Sequence, residues 1–237
     1  MSAHSWVLGL DACPGGWAGI CWSGTKVNAV FGTDIVDVIE QASLAIQNAS
    51  IAVIGVDMFI GLPDKSVRQA DTLARLAIGP RRASVFNAPI RSSFEAPTYA
   101  EGLAISRAST GRGFSAQAFA MRKKAFEIDR FTHDVQVPLI EVHPEVTFAL
   151  MNGRPLLFSK KTQSGFELRR QLLANSGIQI PDSLVSFAEL GKRAKPDDIL
   201  DAGAVAWTAM RFHRGTAKSL PSTPEVFSDG LPAAIWS

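Results

Sequence analysis

The chain has only two cysteines, Cys13 and Cys21, both near its start. Two thiols make no disulfide framework and are too few for a structural zinc site. A reducing, cytoplasmic setting is the expectation that follows. There is no uninterrupted apolar run long enough to span a bilayer, so no membrane association is expected. The opening string "MSAHSWVLGLDACPGGW" lacks a basic region followed by a long apolar one, which argues against a secretory signal. Internal repeats and low-complexity stretches are missing, which excludes solenoids and linker-like segments. The GK[ST] string of a P-loop is also missing. "GRGFSAQ" (111–117) is a weaker phosphate-loop pattern, a Gly-x-Gly before a helix start with Ser115 as its cap. Positive charge is scarce in residues 1–59, which hold one Lys against five acids.

What is present is an ordinary globular composition. The 237 residues are 46% hydrophobic and 19% charged, enough for a sizeable core. Residues 60–130 hold twelve basic and six acidic residues, and residues 131–237 hold eleven of each. The middle third is therefore a candidate surface for phosphates or nucleic acid, set against the plainer reading of a solvated face.

"SWVLGLDA" (5–12), "WAGICW" (17–22) and "KVNAVFG" (26–32) read as three strands of an antiparallel meander. "DIVDVIEQASLAIQNA" (34–49) has helical apolar spacing with Asp34 as N-cap, and "IAVIGVDM" (51–58) suits a strand buried on both faces. Helices are expected at 64–79 and 115–134, with 80–94 as loop between them. "VPLIEVHPE" (137–145) reads as a strand, and helices follow at 144–153, 164–177 and 196–214, the last being the final element. The whole reads as one α/β domain over 1–237. Its order is β-β-β-α-β-α-β-α, a mixed five-stranded sheet flanked by helices, with a helical, basic insertion at about 64–134.

Acidic residues are oddly placed in this plan. Asp11 ends the first strand and Asp57 ends the fourth; if those strands are parallel neighbours, both emerge at the carboxyl edge, where open α/β sheets bind ligands. In "KPDDILDAGAVAWTAM" (195–210) an apolar helix opens with Asp197, Asp198 and Asp201. Asp197 is explained as a cap and acids in a first turn suit the helix dipole, but Asp201 lies a full turn inside an apolar face. Asp198 and Asp201, three apart, share a helix face and could meet Asp11 and Asp57. A single Asp at a strand end is more often a turn residue. Four together repel strongly unless a cation neutralises them, and oxygen ligands without thiolate select Mg²⁺ or Mn²⁺. Two such ions about 3.5–4 Å apart can drive phosphodiester hydrolysis.

The strand order with Asp11, Asp57 and "PDDILDA" resembles the RNase H-like fold, and "KPDDILDAGAVA" resembles the last active-site helix of Holliday-junction resolvases. That match assigns the ligand role to Asp198 and Asp201 rather than Asp197. Resolvase-like patterns often carry Glu where Asp57 stands here. The strings "GLDACPGGW", "IGVDMFIGLP", "RQADTLARLAIGPRRASVF", "EVHPE", "SKKT" and "DDILDA" resemble a widespread uncharacterised family, number 429 of the domains of unknown function, whose members are regarded as RNase H-like nucleases. The resemblance implies a metal-dependent nuclease acting by two-metal hydrolysis.

In "EVHPE", Glu141 and His143 alternate along a strand end and Glu145 follows the Pro turn. His143 and Glu145 are candidates for a general acid/base or for metal support, or else for a satisfied His and a helix-dipole partner. Arg81, Arg82, Arg91, Lys160 and Lys161 are the candidates for binding substrate phosphates. The expected partner is nucleic acid or a phosphorylated small molecule, and a two-fold homodimer is the default assembly. Two other readings stand beside the nuclease. An actin-like ATPase or kinase-type core would bind nucleotide, but needs two such halves. A non-catalytic module would use the same carboxylates for a structural ion.

Overall fold

The structure, a computed structural model, describes residues 5–180 and 193–237. Strands β1 (Trp6–Cys13), β2 (Gly16–Trp22) and β3 (Val27–Gly32) form the antiparallel meander, followed by helix α1 (Ile35–Ala45) and strand β4 (Ile51–Asp57). Asp34 caps α1, its carboxylate accepting from the N–H groups of Val36 and Asp37. Helices α2 (Gln69–Ala77), α3 (Arg91–Glu95), α4 (Tyr99–Thr110), α5 (Ala116–Ala120) and α6 (Arg122–Asp134) separate β4 from β5 (Leu139–Val142). Then come α7 (Pro144–Met151), α8 (Gln163–Asn175), α9 (Pro196–His213), β6 (Ser219–Val226) and β7 (Pro232–Trp236).

The architecture is mixed α/β. One seven-stranded mixed sheet in the order β3-β2-β1-β4-β5-β7-β6 is flanked by helices. The sheet has seven strands where the sequence suggests five. The two extra strands follow α9 and hide behind prolines: "SLPSTPEV" carries Pro221 and Pro224. Proline cannot donate to a ladder, so such a run reads as loop. β6 tolerates both because it is an edge strand with an irregular register between Leu220 and Glu225. The stretch 80–94, read as loop, contains a 3-10 turn over Gly79–Ser84 and the short α3. Helix α4, which the sequence reading passed over, is capped by Thr98 and ended by Gly111 in the left-handed region. The helix expected over 115–134 is two, α5 and α6, meeting at Met121.

The period of two along β1 and β4 sorts their side chains between two cores. Leu8, Leu10, Ile54 and Val56 pack on one face with Ile35, Val38 and Ile128. Val7 and Val53 face the other way, onto Ala202, Val205, Ala206 and Ala209 of α9. That second face also carries Gly9 and Gly55, which are register partners. A Cβ on Gly9 would lie 2.2 Å from the backbone N of Ala206, and one on Gly55 would lie 2.7 Å from the Val205 side chain. The paired glycines let α9 rest directly on the sheet. By the same alternation Asp11 and Asp57, two residues further along each strand, are on the face that α9 covers.

Candidate active site

β1 and β4 are parallel neighbours, and Asp11 stands opposite Asp57 in their register. The two carboxyls are within hydrogen-bonding reach of one another. Asp11 is buried, whereas Asp57 is half-buried at the mouth of a cleft. Asp201, on the buried face of α9, joins them; it is 4% exposed. Burial first, then the charges of Asp201, Asp57 and Asp198, hold Asp11 well above the ordinary carboxylate range, with Lys160 opposing. Asp57 is raised by burial and by Glu145, with His143, Lys160 and Asp11 pulling it back. Asp201 is pushed up to about 7, chiefly by burial, against the pull of Lys160. Three acids thus share one low-dielectric spot that disfavours their charge.

Asp198 has a different place. Its carboxylate turns back and accepts the Lys195 N–H at 2.8 Å, at the start of α9. Burial raises it, and that backbone hydrogen bond lowers it. Lys160 reaches into the cluster instead. Its ammonium donates to Asp201 and lies 3.5 Å from Asp197. Among the described residues, no group of three or more His, Cys, Asp or Glu side chains is placed to hold a metal ion. The acids are close enough to feel one another's charge, and the cation among them is a lysine. Cys13, at the end of β1, adds no thiolate: burial, then Asp198 and Asp11, push it up to about 12.

"EVHPE" divides by role. Glu145 is locked in a bidentate pair with the fully buried Arg169, at 2.6 and 2.8 Å. Arg169 also donates to the carbonyls of Gly165 and Phe158, at 2.7 and 3.2 Å. Glu145 therefore holds a frame, its carboxylate being occupied. Glu141 is held under the site by the buried Arg68, which binds Asp71 as well, and it accepts the Ile60 N–H at 2.7 Å. The ring of His143 stays beside Asp57. Its Nε2 is 3.3 Å from the Ser84 carbonyl, an acceptor only, so Nε2 carries the hydrogen. In the neutral ring Nδ1 is then the acceptor, and it is buried without a partner.

A cleft of about 260 Å³ opens over these groups, lined by Asp57, Asp201, His143, Glu145, Lys160 and Lys161 on one side. The helical region supplies Arg81, Ser84, Phe86 and Gln117 to the other wall. Arg82 is exposed and is not part of that lining. Arg91 is elsewhere, clamping Asp129 at 2.6 Å and Asp229 at 2.9 Å and so tying α3 to α6 and to the β6–β7 turn. Ser115 caps α5, and Gln117 of that helix reaches the cleft. The structure thus brings Asp11, Asp57, Asp201, His143, Arg81, Lys160 and Lys161 together. Arg68 and Arg169, which decide the fate of the two glutamates, drew no notice in the sequence. A lone arginine in a helix carries no mark of its partner.

Among the described residues no helix is long and apolar enough to cross a membrane. No curated protein and no solved structure matches the chain. The family model described as "Protein of unknown function (DUF429)" matches residues 9–226, from within β1 to the end of β6, and the chain belongs to that family.

Proposed function

We propose that this protein is a metal-dependent phosphodiesterase, a nuclease in the broad sense, built on an RNase H-like core. The observation that carries the reading is the meeting of Asp11 and Asp57 side by side where the parallel pairing of β1 and β4 ends, under a helix that adds Asp201. Strand order supports the fold reading. β3-β2-β1 form an antiparallel meander, and β4 and β5 continue it parallel to β1, with α1 between β3 and β4.

The donor set suits a hard divalent cation, Mg²⁺ or Mn²⁺. It is all oxygen, the one nearby thiol is protonated, and burial penalises each negative charge until a cation offsets it. Asp11 and Asp57 would hold the ion, with Asp201 in charge contact with both. A bound ion would supply Lewis-acid stabilisation at a phosphoryl oxygen and a water of lowered pKa. Arg81 and Lys161 would hold phosphate oxygens in the cleft, where exclusion of water strengthens each contact. His143 is suited to accept a proton at Nδ1, while the Ser84 carbonyl keeps its ring oriented.

The test is hydrolysis of a chromogenic phosphodiester and of single- and double-stranded DNA and RNA, with and without Mn²⁺. Activity should depend on the ion, and Asp57→Asn should abolish it while the circular dichroism spectrum is unchanged. Failure to cleave any phosphodiester with any divalent ion overturns the reading.

A further inference from the structure

The acids on the cleft floor are flanked by two segments that hold mostly positive charge. Residues 72–94 and 146–166 contain no Asp or Glu. The two meet along the cleft. A Cβ on Gly79 would lie 3.9 Å from the Pro155 ring, and Arg81 and Ser84 share the cleft with Ser159, Lys160 and Lys161. Arg82, Arg154 and Lys161 are exposed on these rims, and among the described residues none of the three has an ion-pair partner. Arg81, in the cleft wall, keeps its Nε buried without a hydrogen-bond partner. Asp197, beyond Lys160, is 3.5 Å from that ammonium.

Between Arg154 and Lys161 two large apolar side chains stand in the open, Leu157 at 69% exposed and Phe158 at 55%. Adjacent exposed apolar groups of this size mark a contact surface. The Phe158 backbone is fixed from beneath, its carbonyl accepting from Arg169, which Glu145 grips in turn. The turn that follows is tight: Thr162 donates to the Ser159 carbonyl at 2.8 Å, and a Cβ on Gly165 would meet that oxygen at 2.0 Å. A rigid strap thus presents the Phe158 ring, which has no aromatic or cationic partner among the described residues.

A flat apolar ring set among unpaired cations complements a chain that alternates planar bases with phosphates. In a duplex the base faces are already stacked on one another, and the space of about 260 Å³ between the rims is that of a small-ligand site, not of a groove for a double helix. An anionic bilayer would meet the same charges and apolar groups. The surface is concave, however, and leads down to Asp57 and Asp201, which suits a strand and not a flat sheet of lipid. We propose that this rim binds single-stranded nucleic acid, an unpaired base stacking on Phe158 while Arg82, Arg154 and Lys161 hold backbone phosphates. The inference names the polymer for the phosphodiesterase reading above and rests on that reading for its choice of a phosphodiester backbone.

The experiment measures binding in EDTA, without turnover. Fluorescence anisotropy follows the full-length protein on a labelled single strand of about sixteen nucleotides and on the same sequence as duplex. Sedimentation with phosphatidylserine–phosphatidylcholine vesicles tests the lipid alternative. The single strand should bind at least about tenfold more tightly than the duplex. Phe158→Ala should weaken it about five- to a hundredfold, and Phe158→Trp should retain it. Arg154→Ala and Lys161→Ala should each flatten the slope of log affinity against log salt by about 0.7. Circular dichroism checks that the variants, all at exposed positions, are folded. No binding of the single strand, equal affinity for duplex, an unmoved Phe158→Ala, or binding to vesicles alone overturns the inference and leaves the phosphodiesterase reading to its own assay. Single-strand binding that Phe158→Ala weakens, with no cleavage under any divalent ion, supports the surface and removes the phosphodiesterase reading alone.

Discussion

Two sets of carboxylates, all buried but the half-buried Asp57, lie at the same end of the sheet and are treated in opposite ways. Glu141 and Asp71 surround the guanidinium of Arg68, and Glu145 is gripped by Arg169; every contact is between 2.5 and 3.3 Å. Among the described residues, Asp11, Asp57 and Asp201 have no arginine partner. They have one another, and a single lysine on Asp201. A buried acid with a fork-shaped partner and its remaining lone pairs filled is structural, because nothing is left over for a ligand. Buried acids set against each other are held at a cost that only function or a bound cation explains. The contrast separates the scaffold from the site more sharply than burial does, since of the two sets only Asp57 is even half-exposed.

The comparison can be broken first at its structural half. Arg68→Met leaves Glu141 and Asp71 buried without their cation and should cost about 3–5 kcal/mol in chemical denaturation. A loss under about 1 kcal/mol would mean that the network is not what holds the sheet edge. Next comes the device that assembles the site. Gly9→Ala pushes a methyl group into the backbone of α9, and a loss of about 1–3 kcal/mol is expected, together with weakened Mn²⁺ binding as Asp201 is lifted away. Unchanged melting and unchanged Mn²⁺ affinity would show that α9 can shift freely.

The functional half should respond with the opposite sign. Asp57→Asn removes one of three mutually repelling charges. The ion-free protein should gain about 0.5–2 kcal/mol while losing Mn²⁺ binding and any phosphodiester cleavage. Destabilisation instead would place Asp57 with the scaffold. The same argument fixes a pH dependence. Asp201 binds its proton more tightly folded than unfolded, so its ionisation destabilises the fold. That cost is absent below the ordinary carboxylate range, grows as pH rises and is complete above about 7. A divalent ion relieves it, so the upward shift of the melting temperature by Mg²⁺ or Mn²⁺ should be larger at about pH 8 than at about pH 5. An equal shift at both would contradict the raised Asp201. The smallest effect belongs to Lys161→Ala, exposed and uninvolved in the frame; stability should stay within about 0.5 kcal/mol, and only substrate affinity should fall.

Much of the layout is legible in the chain. The meander, α1 and the apolar run of β4 follow from period and composition. Asp57 is marked by where its strand stops and Asp201 by standing on an apolar helix face where no cap explains it, whereas β1 runs two residues past Asp11, to Cys13. Less visible are β6 and β7, whose prolines disguise an edge strand, and α4, whose small and polar residues give weak periodicity. The two glutamates of "EVHPE" and the basic residues could not be sorted at all from the chain. Glu145 looks as reactive as Asp57, and Arg91 looks as free as Arg81, until partners are known.

Local pattern by itself determined the meander, α1, β4 with Asp57 at its end, and the helix that carries Asp201, because these depend on neighbours along the chain. Which charges are neutralised was decided only in three dimensions. Ion pairing works over a few ångströms and is indifferent to sequence distance. Thus Arg169 reaches Glu145 across 24 positions, Arg68 reaches Glu141 across 73, and Lys160 meets Asp201 across 41.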